Sequence, residues 1–153
     1  MNHCWSQDGF EVNTDPARLD LGVMHDFLRS AYWSVGIPRE TIERAVAGSM
    51  NFGLYGPGGQ IGYARVVSDR ATFAWMCDVF VLEAYRGRGL GRWLISCVMA
   101  HPELQGLRRW MLATADAHGL YRPFGFEIPA EPERLMARRK SDTEPPSKLR
   151  PVS

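Results

Sequence analysis

The sequence predicts an α/β domain with a central, mostly antiparallel sheet, flanking helices and one parallel strand pair. Three observations carry that expectation. First, the apolar run "ATFAWMCDVFVL", the glycine-rich turn "YRGRGLG", an amphipathic stretch and the run "LRRWMLAT" follow one another within about forty residues. A strand, tight turn, helix and strand in that span form a βαβ unit, with parallel strands and a right-handed crossover. Second, "MNFGLYG" and "QIGYARVV" flank the tip "GPGG", the pattern of an antiparallel hairpin. Third, two segments with helical apolar spacing precede that hairpin.

In chain order, residues 5–12 form a weakly alternating first strand, interrupted by Gly9. Met24, Leu28, Ala31 and Tyr32 recur at helical spacing, so a first helix is expected over residues 20–34, with Asp20 as N-cap and Gly36 and Pro38 beyond its end. Pro38 suits the first turn of a second helix, whose stripe is Ile42, Ala45 and Val46. After the hairpin, "SDR" makes a turn into the long apolar strand, which carries one acid, Asp78, in its middle. Leu90, Trp93, Leu94, Cys97 and Val98 define an amphipathic helix that stops before Pro102. "ADAHGLYRPFGFEIP" then reads as a short helix, a glycine turn and a terminal strand. The expected domain covers residues 1–130. The charged, proline-rich residues 131–153 are expected to be a disordered tail.

Bulk composition narrows the function classes. The chain has 153 residues, 45% of them apolar, enough for one core and one site. Eighteen Lys plus Arg against seventeen Asp plus Glu give a net charge of +1, so no global field recruits nucleic acid or an anionic membrane. Cys4, Cys77 and Cys97 are widely spaced, with no C-x-x-C, which indicates neither a disulfide framework nor a metal site. No stretch approaches the ~20 apolar residues of a membrane span, and the first ten residues lack the pattern of a signal peptide. A cytoplasmic protein is expected, and the sequence leaves a homodimer open.

The turn "YRGRGLG" concentrates the chemistry. A helix N-terminus presents unpaired N–H groups and a partial positive charge, and glycine lets an anion approach them. Arg86, Arg88 and Arg92 add guanidinium groups that pair with phosphate oxygens. A P-loop is excluded, because Gly91 is followed by Arg92 and Trp93 rather than Lys and Ser or Thr. The dinucleotide fingerprint is also missed, since Gly87, Gly89 and Gly91 are evenly spaced. Taken alone, the turn fits either a phosphate site or a tight turn with solvated arginines.

The stretch "VFVLEAYRGRGLGRWL" resembles the acetyl-CoA-binding motif of the GNAT acetyltransferase superfamily, through Arg86, Gly89 and Gly91. "LYRPFGF" supplies a second matching element, Tyr121 followed by Gly125 and Phe126. The resemblance covers about residues 50–128 and implies a GNAT-like fold, in which the parallel strands splay apart around the pantetheine arm of acetyl-CoA. It implies that Val79, Phe80 and Val81 offer backbone groups to that arm and to the thioester carbonyl. Gly87, Arg88, Gly89, Leu90, Gly91 and Arg92 would hold the pyrophosphate together with Arg86. Tyr121 matches the family's general acid. Two departures stand out: Glu83 and Ala84 replace the usual Pro and acid before the motif, and Thr114 stands where an Asn is common.

The implied reaction is acetyl transfer from acetyl-CoA to a primary amine, on a small molecule or a peptide. Asp78 is a candidate base, against the alternative of a structural acid satisfied by an arginine or backbone amides. Glu83 and His118 are further candidates. Tyr32, Trp33, Tyr63, Phe73 and Trp75 are the aromatic candidates for an acceptor pocket, and Asp26 and Asp69 for meeting an ammonium. Competing readings are a CoA-binding sensor without turnover, and a nucleic-acid module using Arg86, Arg88, Arg108 and Arg109 with the cluster Arg138, Arg139 and Lys140. The balanced charge makes that last reading the weakest.

Overall fold

The computed structural model describes residues 1–140. One six-stranded sheet runs in the order β1 (Cys4–Gln7), β2 (Phe10–Asn13), β3 (Met50–Gly56), β4 (Gly59–Ser68), β5 (Phe73–Val81) and β6 (Arg109–Leu112). All neighbours are antiparallel except β5 and β6, the parallel pair of the βαβ unit. The crossover helix is α3 (Leu90–Met99). It buries Leu90, Leu94, Ile95, Cys97 and Val98 against one face of the sheet, with Phe52, Leu54, Val66 and Met76 opposite. On the other face α1 (Leu21–Leu28) and α2 (Arg39–Ala47) set Met24, Leu28 and Ile42 around Tyr63 and Phe80. The short helix α4 (His118–Tyr121) follows β6.

The sheet has one irregularity that matters for the cleft. Tyr63 pairs with Phe80 but Arg65 pairs with Cys77, so one residue of β4 faces two of β5. Asp78 takes the left-handed conformation at this bulge, with φ 54°. Aspartate tolerates that region better than most side chains, because its short polar group finds local partners. The extra residue reverses the alternation of the strand. Ala74 and Met76 face the α3 layer before the bulge, Val79 and Val81 after it, and Phe80 turns into the α1–α2 core.

Four expectations change. The first strand is a hairpin, with Asp8 and Gly9 both at positive φ in its two-residue turn. That is the Asp-Gly signature of a tight hairpin, and Gly9 joins two strands rather than interrupting one. Helix α1 has the expected N-cap, Asp20 accepting from the Val23 amide at 3.1 Å, but ends at Leu28. The Ser34 hydroxyl donates to the Leu28 carbonyl at 2.6 Å and the Gly36 amide to the Arg29 carbonyl at 2.8 Å. These bonds satisfy carbonyls at the helix end and fold the chain into a loop that carries Tyr32 and Trp33. Among the described residues no strand forms after α4: residues between Gly125, at φ 90°, and Pro129, which has no N–H, are too few for a ladder. The expected tail begins with a short turn at Pro132–Arg134, closed by an Arg134–Glu131 ion pair of 2.8 Å, and Leu135 lines a groove beside β6. The rest of that segment, residues 141–153, lies outside the described residues.

Gly62 on β4 lies against the cofactor-motif strand. A Cβ there would stand 2.7 Å from the Phe80 carbonyl oxygen and 2.9 Å from Leu54 Cδ2. Gly62→Ala is expected to destabilise the fold by about 2 kcal/mol, the cost of overpacking against backbone that cannot yield. Urea unfolding checks this: a midpoint equal to that of the parent chain contradicts the close approach.

Candidate active site

The parallel pair is in register only from Phe73–Arg109 to Met76–Leu112. Beyond that point β6 ends and β5 continues to Val81, so residues 77–81 face open space where a strand partner would lie. The gap is a cleft of about 740 Å³. Val79, Phe80 and Val81 line one wall, and Thr114 and Tyr121 the other. Arg86 and Gly91 sit at the motif end.

The glycine-rich turn has the backbone its spacing suggested. Gly87 and Gly89 adopt φ 79° and 77°, conformations that a side chain disfavours. Gly89 is the N-cap of α3 and contributes no side-chain cap. The first N–H groups of the helix are therefore left to solvent or to an anion. A Cβ on Gly91 would contact Leu120 and Val81 at 3.9 Å, which places the start of α3 against the cleft wall. Arg86 Nε donates to the Val81 carbonyl at 2.9 Å, the Arg88 guanidinium lies 5.6 Å from the Tyr85 ring centre, and Arg92 is exposed. Leu90 turns its side chain into the core.

Tyr121 is 8% exposed and packs edge-on against Phe126 at 5.9 Å, which joins the two halves of the "LYRPFGF" element. Burial, with lesser contributions from Tyr32, Asp116 and Cys77, pushes its phenol up to about 12. It stays protonated across the working range of most enzymes. Thr114 Oγ1 accepts from the Ala117 amide at 3.0 Å, which leaves its proton to donate.

Asp78 has both carboxylate oxygens engaged. Arg65 Nε donates to Oδ2 at 2.8 Å, and Trp33 Nε1 to Oδ1 at 3.1 Å. Arg65 is held in turn by Ser49 Oγ at 3.0 Å. The bulge is thus tied to β4 on one side and to the loop after α1 on the other.

The acceptor-side candidates separate. Tyr32, Trp33 and Trp75 line the cleft, whereas Tyr63 is buried, donating its hydroxyl to Asn51 Oδ1, and Phe73 lies at the far start of β5. Neither Asp26 nor Asp69 lines the cleft. Asp26 pairs with Arg29 at 3.7 Å. Asp69 organises the β4–β5 turn, where bonds from the Thr72 hydroxyl and the amides of Ala71, Thr72 and Phe73 hold its carboxyl well below the usual carboxylate range. His118 lines the groove by β6 instead, and Glu83 is in the short turn after β5. One cleft residue and one anchor of the cleft's aromatic rim had no sequence signal. Asp116 is exposed at the mouth, and Ala115 donates its amide to the Tyr32 hydroxyl at 2.9 Å, across 83 positions of sequence.

The buried titratable groups give a pH prediction. Burial raises the Cys77 and Cys97 thiols from 9.0 to about 11 and the Tyr55 and Tyr121 phenols from 10.0 to about 12. Each is neutral when protonated, so above pH 9 the unfolded chain loses these protons first. Their contribution to stability is complete below about pH 9 and is lost as pH rises toward 12. Tm should therefore fall through that window, and a flat Tm would count against the burial of these groups.

A parallel pair of unequal length, a glycine turn at a helix start and a buried tyrosine are thus brought to one cleft. The sequence model of the GNAT acetyltransferase domain matches residues 48–128, and this chain belongs to the GNAT acetyltransferase family. A Gibberella zeae protein curated as a candidate acetyltransferase is 31% identical, over 76% of this chain and 78% of its own length. A GNAT-family crystal structure from Xanthomonas campestris pv. campestris is 47% identical and covers 88% of this chain and 96% of its own, with TM-score 0.84. A GNAT acetyltransferase from Elizabethkingia anophelis with acetyl-CoA bound shares the fold at TM-score 0.62 and 15% identity, over 89% of this chain and 91% of its own. No helix among the described residues is long and apolar enough to cross a membrane.

Proposed function

We propose that the protein transfers acetyl from acetyl-CoA to a primary amine by direct attack in a ternary complex. The observation that carries this reading is the length mismatch at the parallel pair, which leaves residues 77–81 of β5 without a partner on their β6 side, beside a helix start whose N-cap glycine offers no side-chain cap. A pantetheine arm, with its two amides, has the donors and acceptors to stand in for the missing strand. The turn fits the pyrophosphate through the amides of Gly87 to Arg92, with Arg88 and Arg92 adding charge. Thr114 retains one donor for the arm. Acetyl-CoA brings an activated acyl carbon to the bulge, where the Val79 amide is the group proposed to meet the developing oxyanion. An N–H so placed is worth a few kcal/mol in the transition state, about 10²-fold or more in rate.

The amine nitrogen forms a bond to the acyl carbon as the carbon–sulfur bond breaks. Tyr121 donates its proton to the departing sulfur, and its high pKa keeps that proton available at neutral pH. The proton of the incoming ammonium passes to water at the open mouth of the cleft.

For Asp78 the pairing supports a positioning role, not proton transfer. Arg65 and Trp33 hold the carboxylate, and the carboxylate holds the bulge that aims Val79. Asn also tolerates the left-handed region, so Asp78→Asn is expected to keep the bulge. It should lower kcat/KM by less than about tenfold and leave the acidic limb of the pH profile in place. Loss of that limb would make Asp78 the base.

Mass spectrometry tests the reading as a whole. Incubation with acetyl-CoA and a mixture of primary amines should yield free CoA and an amine heavier by one acetyl group. Binding of acetyl-CoA without any acetylated amine would favour a sensor.

A further inference from the structure

The proposal concerns the acceptor end of the cleft and rests on the amine-acetylation reading. Two residues of the loop after α1 reach across the gap. The Tyr32 hydroxyl is held by the Ala115 amide at 2.9 Å, and the Trp33 indole donates to Asp78 at 3.1 Å. The two rings meet edge to face at 5.1 Å. Phe27 lies 6.2 Å from Trp33 and is itself stacked on Phe80 at 4.1 Å, and Trp75 adds a further ring to the lining. Tyr32 and Trp33 are 56% and 42% exposed, unusual for rings pinned by hydrogen bonds at both ends of a crossing. The crossing fixes aromatic surface around an opening instead of filling a core.

Charge around those rings is one-sided. Of the two carboxylates in the lining, Asp78 is neutralised by Arg65. Asp116 makes no ion pair or hydrogen bond among the described residues, and it stands next to Ala115, which anchors Tyr32. It is close enough to Tyr121 to contribute to that phenol's upward shift, as is Tyr32. Arg86 is the one cation lining the cleft among the described residues, and it lies at the motif end, where its Nε donates to the Val81 carbonyl. A single ammonium therefore finds a carboxylate and ring faces, both favourable to a cation. A carboxylate on the substrate finds no cation beside these rings and loses its hydration. A second ammonium finds no second free carboxylate.

We propose that the acceptor is an arylalkyl monoamine, an aromatic ring on a short alkyl chain ending in one primary amine and bearing no carboxylate. Its ring packs among Tyr32, Trp33, Phe27 and Trp75, and its ammonium approaches past Asp116. At the acyl carbon the nitrogen–carbon bond forms and the carbon–sulfur bond breaks. Tyr121 protonates the sulfur and the ammonium proton leaves to water.

The test measures CoA thiol release by the full chain with three sets of acceptors: phenethylamine and tryptamine; putrescine and spermidine; glutamate, lysine and a short peptide with a free N-terminus. The expected result is kcat/KM for the arylalkylamines at least about tenfold above every member of the other sets. Asp116→Asn, at an exposed position that does not endanger folding, should raise KM for phenethylamine about tenfold and change kcat little. Greater turnover of a polyamine, amino acid or peptide overturns the proposal and leaves amine acetylation standing. So does an unchanged KM in Asp116→Asn. Tight acetyl-CoA binding with no turnover of any amine overturns both this inference and the reading beneath it.

Discussion

Tyr121→Phe is expected to lower kcat by about 10²- to 10³-fold while acetyl-CoA affinity changes by less than about twofold. The substitution removes one oxygen and keeps the ring, which packs against Phe126 and the α3 layer. The fold should survive it, because the hydroxyl forms no hydrogen bond among the described residues whose loss would cost stability. What disappears is the proton for the departing thiolate. A leaving thiol has a pKa near ~8.5, well below the value of about 12 set by burial, so transfer from the phenol is uphill as a free equilibrium. It is made productive by the sulfur's developing charge inside a dry cleft, and in that setting a positioned donor matters most. The pH profile carries a second signature. With the phenol up at about 12, no alkaline limb below about pH 11 should be attributable to Tyr121, and such a limb, if present in the parent enzyme, should persist in Tyr121→Phe. Stopped-flow or steady-state thiol release at saturating acetyl-CoA checks the rate. A kcat within a factor of about three of the parent would remove Tyr121 from the chemistry.

Gly89→Val is expected to weaken acetyl-CoA binding by at least about tenfold and leave the sheet intact. The cause is backbone conformation, since a Cβ at Gly89 would meet nothing within 4 Å. At φ 77° a β-branched side chain is strained by more than about 1–2 kcal/mol, and relaxing that strain rotates the peptide that begins α3. The amides at the start of the helix then no longer converge on one point. A pyrophosphate held by several such donors loses them together. Calorimetric titration checks the affinity, and an unchanged far-UV spectrum checks the fold. Unaltered affinity would mean that the turn is merely a turn, the alternative that "YRGRGLG" by itself left open.

The sequence made the middle of the molecule legible because local pattern and local chemistry agree there. The "GPGG" tip, the stripe from Leu90 to Val98 and the apolar run before the motif each have one structural solution, and the structure adopts it. The ends were less legible. A hairpin as short as β1–β2 rests on Asp8 and Gly9, a two-residue signal that a weakly alternating stretch conceals. The strand expected after Gly125 needed more residues before Pro129 than the chain supplies.

At the site the same division holds. The positive-φ turn of Gly87 and Gly89 could be read from the glycine spacing, whereas Tyr121 was singled out through the family resemblance. Positions fixed by contacts distant in sequence could not be read. Asp78 was visible as an acid in an apolar run, but not as a left-handed bulge residue tied to Arg65 and Trp33. Tyr32 was counted in a helix by its spacing, and only the early end of α1 frees it to reach Ala115. Asp116 sits in "ATADAHG" with nothing in its neighbours to single it out; its position is a consequence of how the loop after β6 meets the loop after α1.

The claim on which all of this depends is that acetyl-CoA lies along the exposed edge of β5 with its pyrophosphate at the start of α3. Amide NMR during titration with acetyl-CoA tests it most directly. The account predicts that the largest shifts fall on Val79, Val81 and residues 87–92, saturating at micromolar ligand. Shifts centred anywhere else, or none at millimolar ligand, would contradict it.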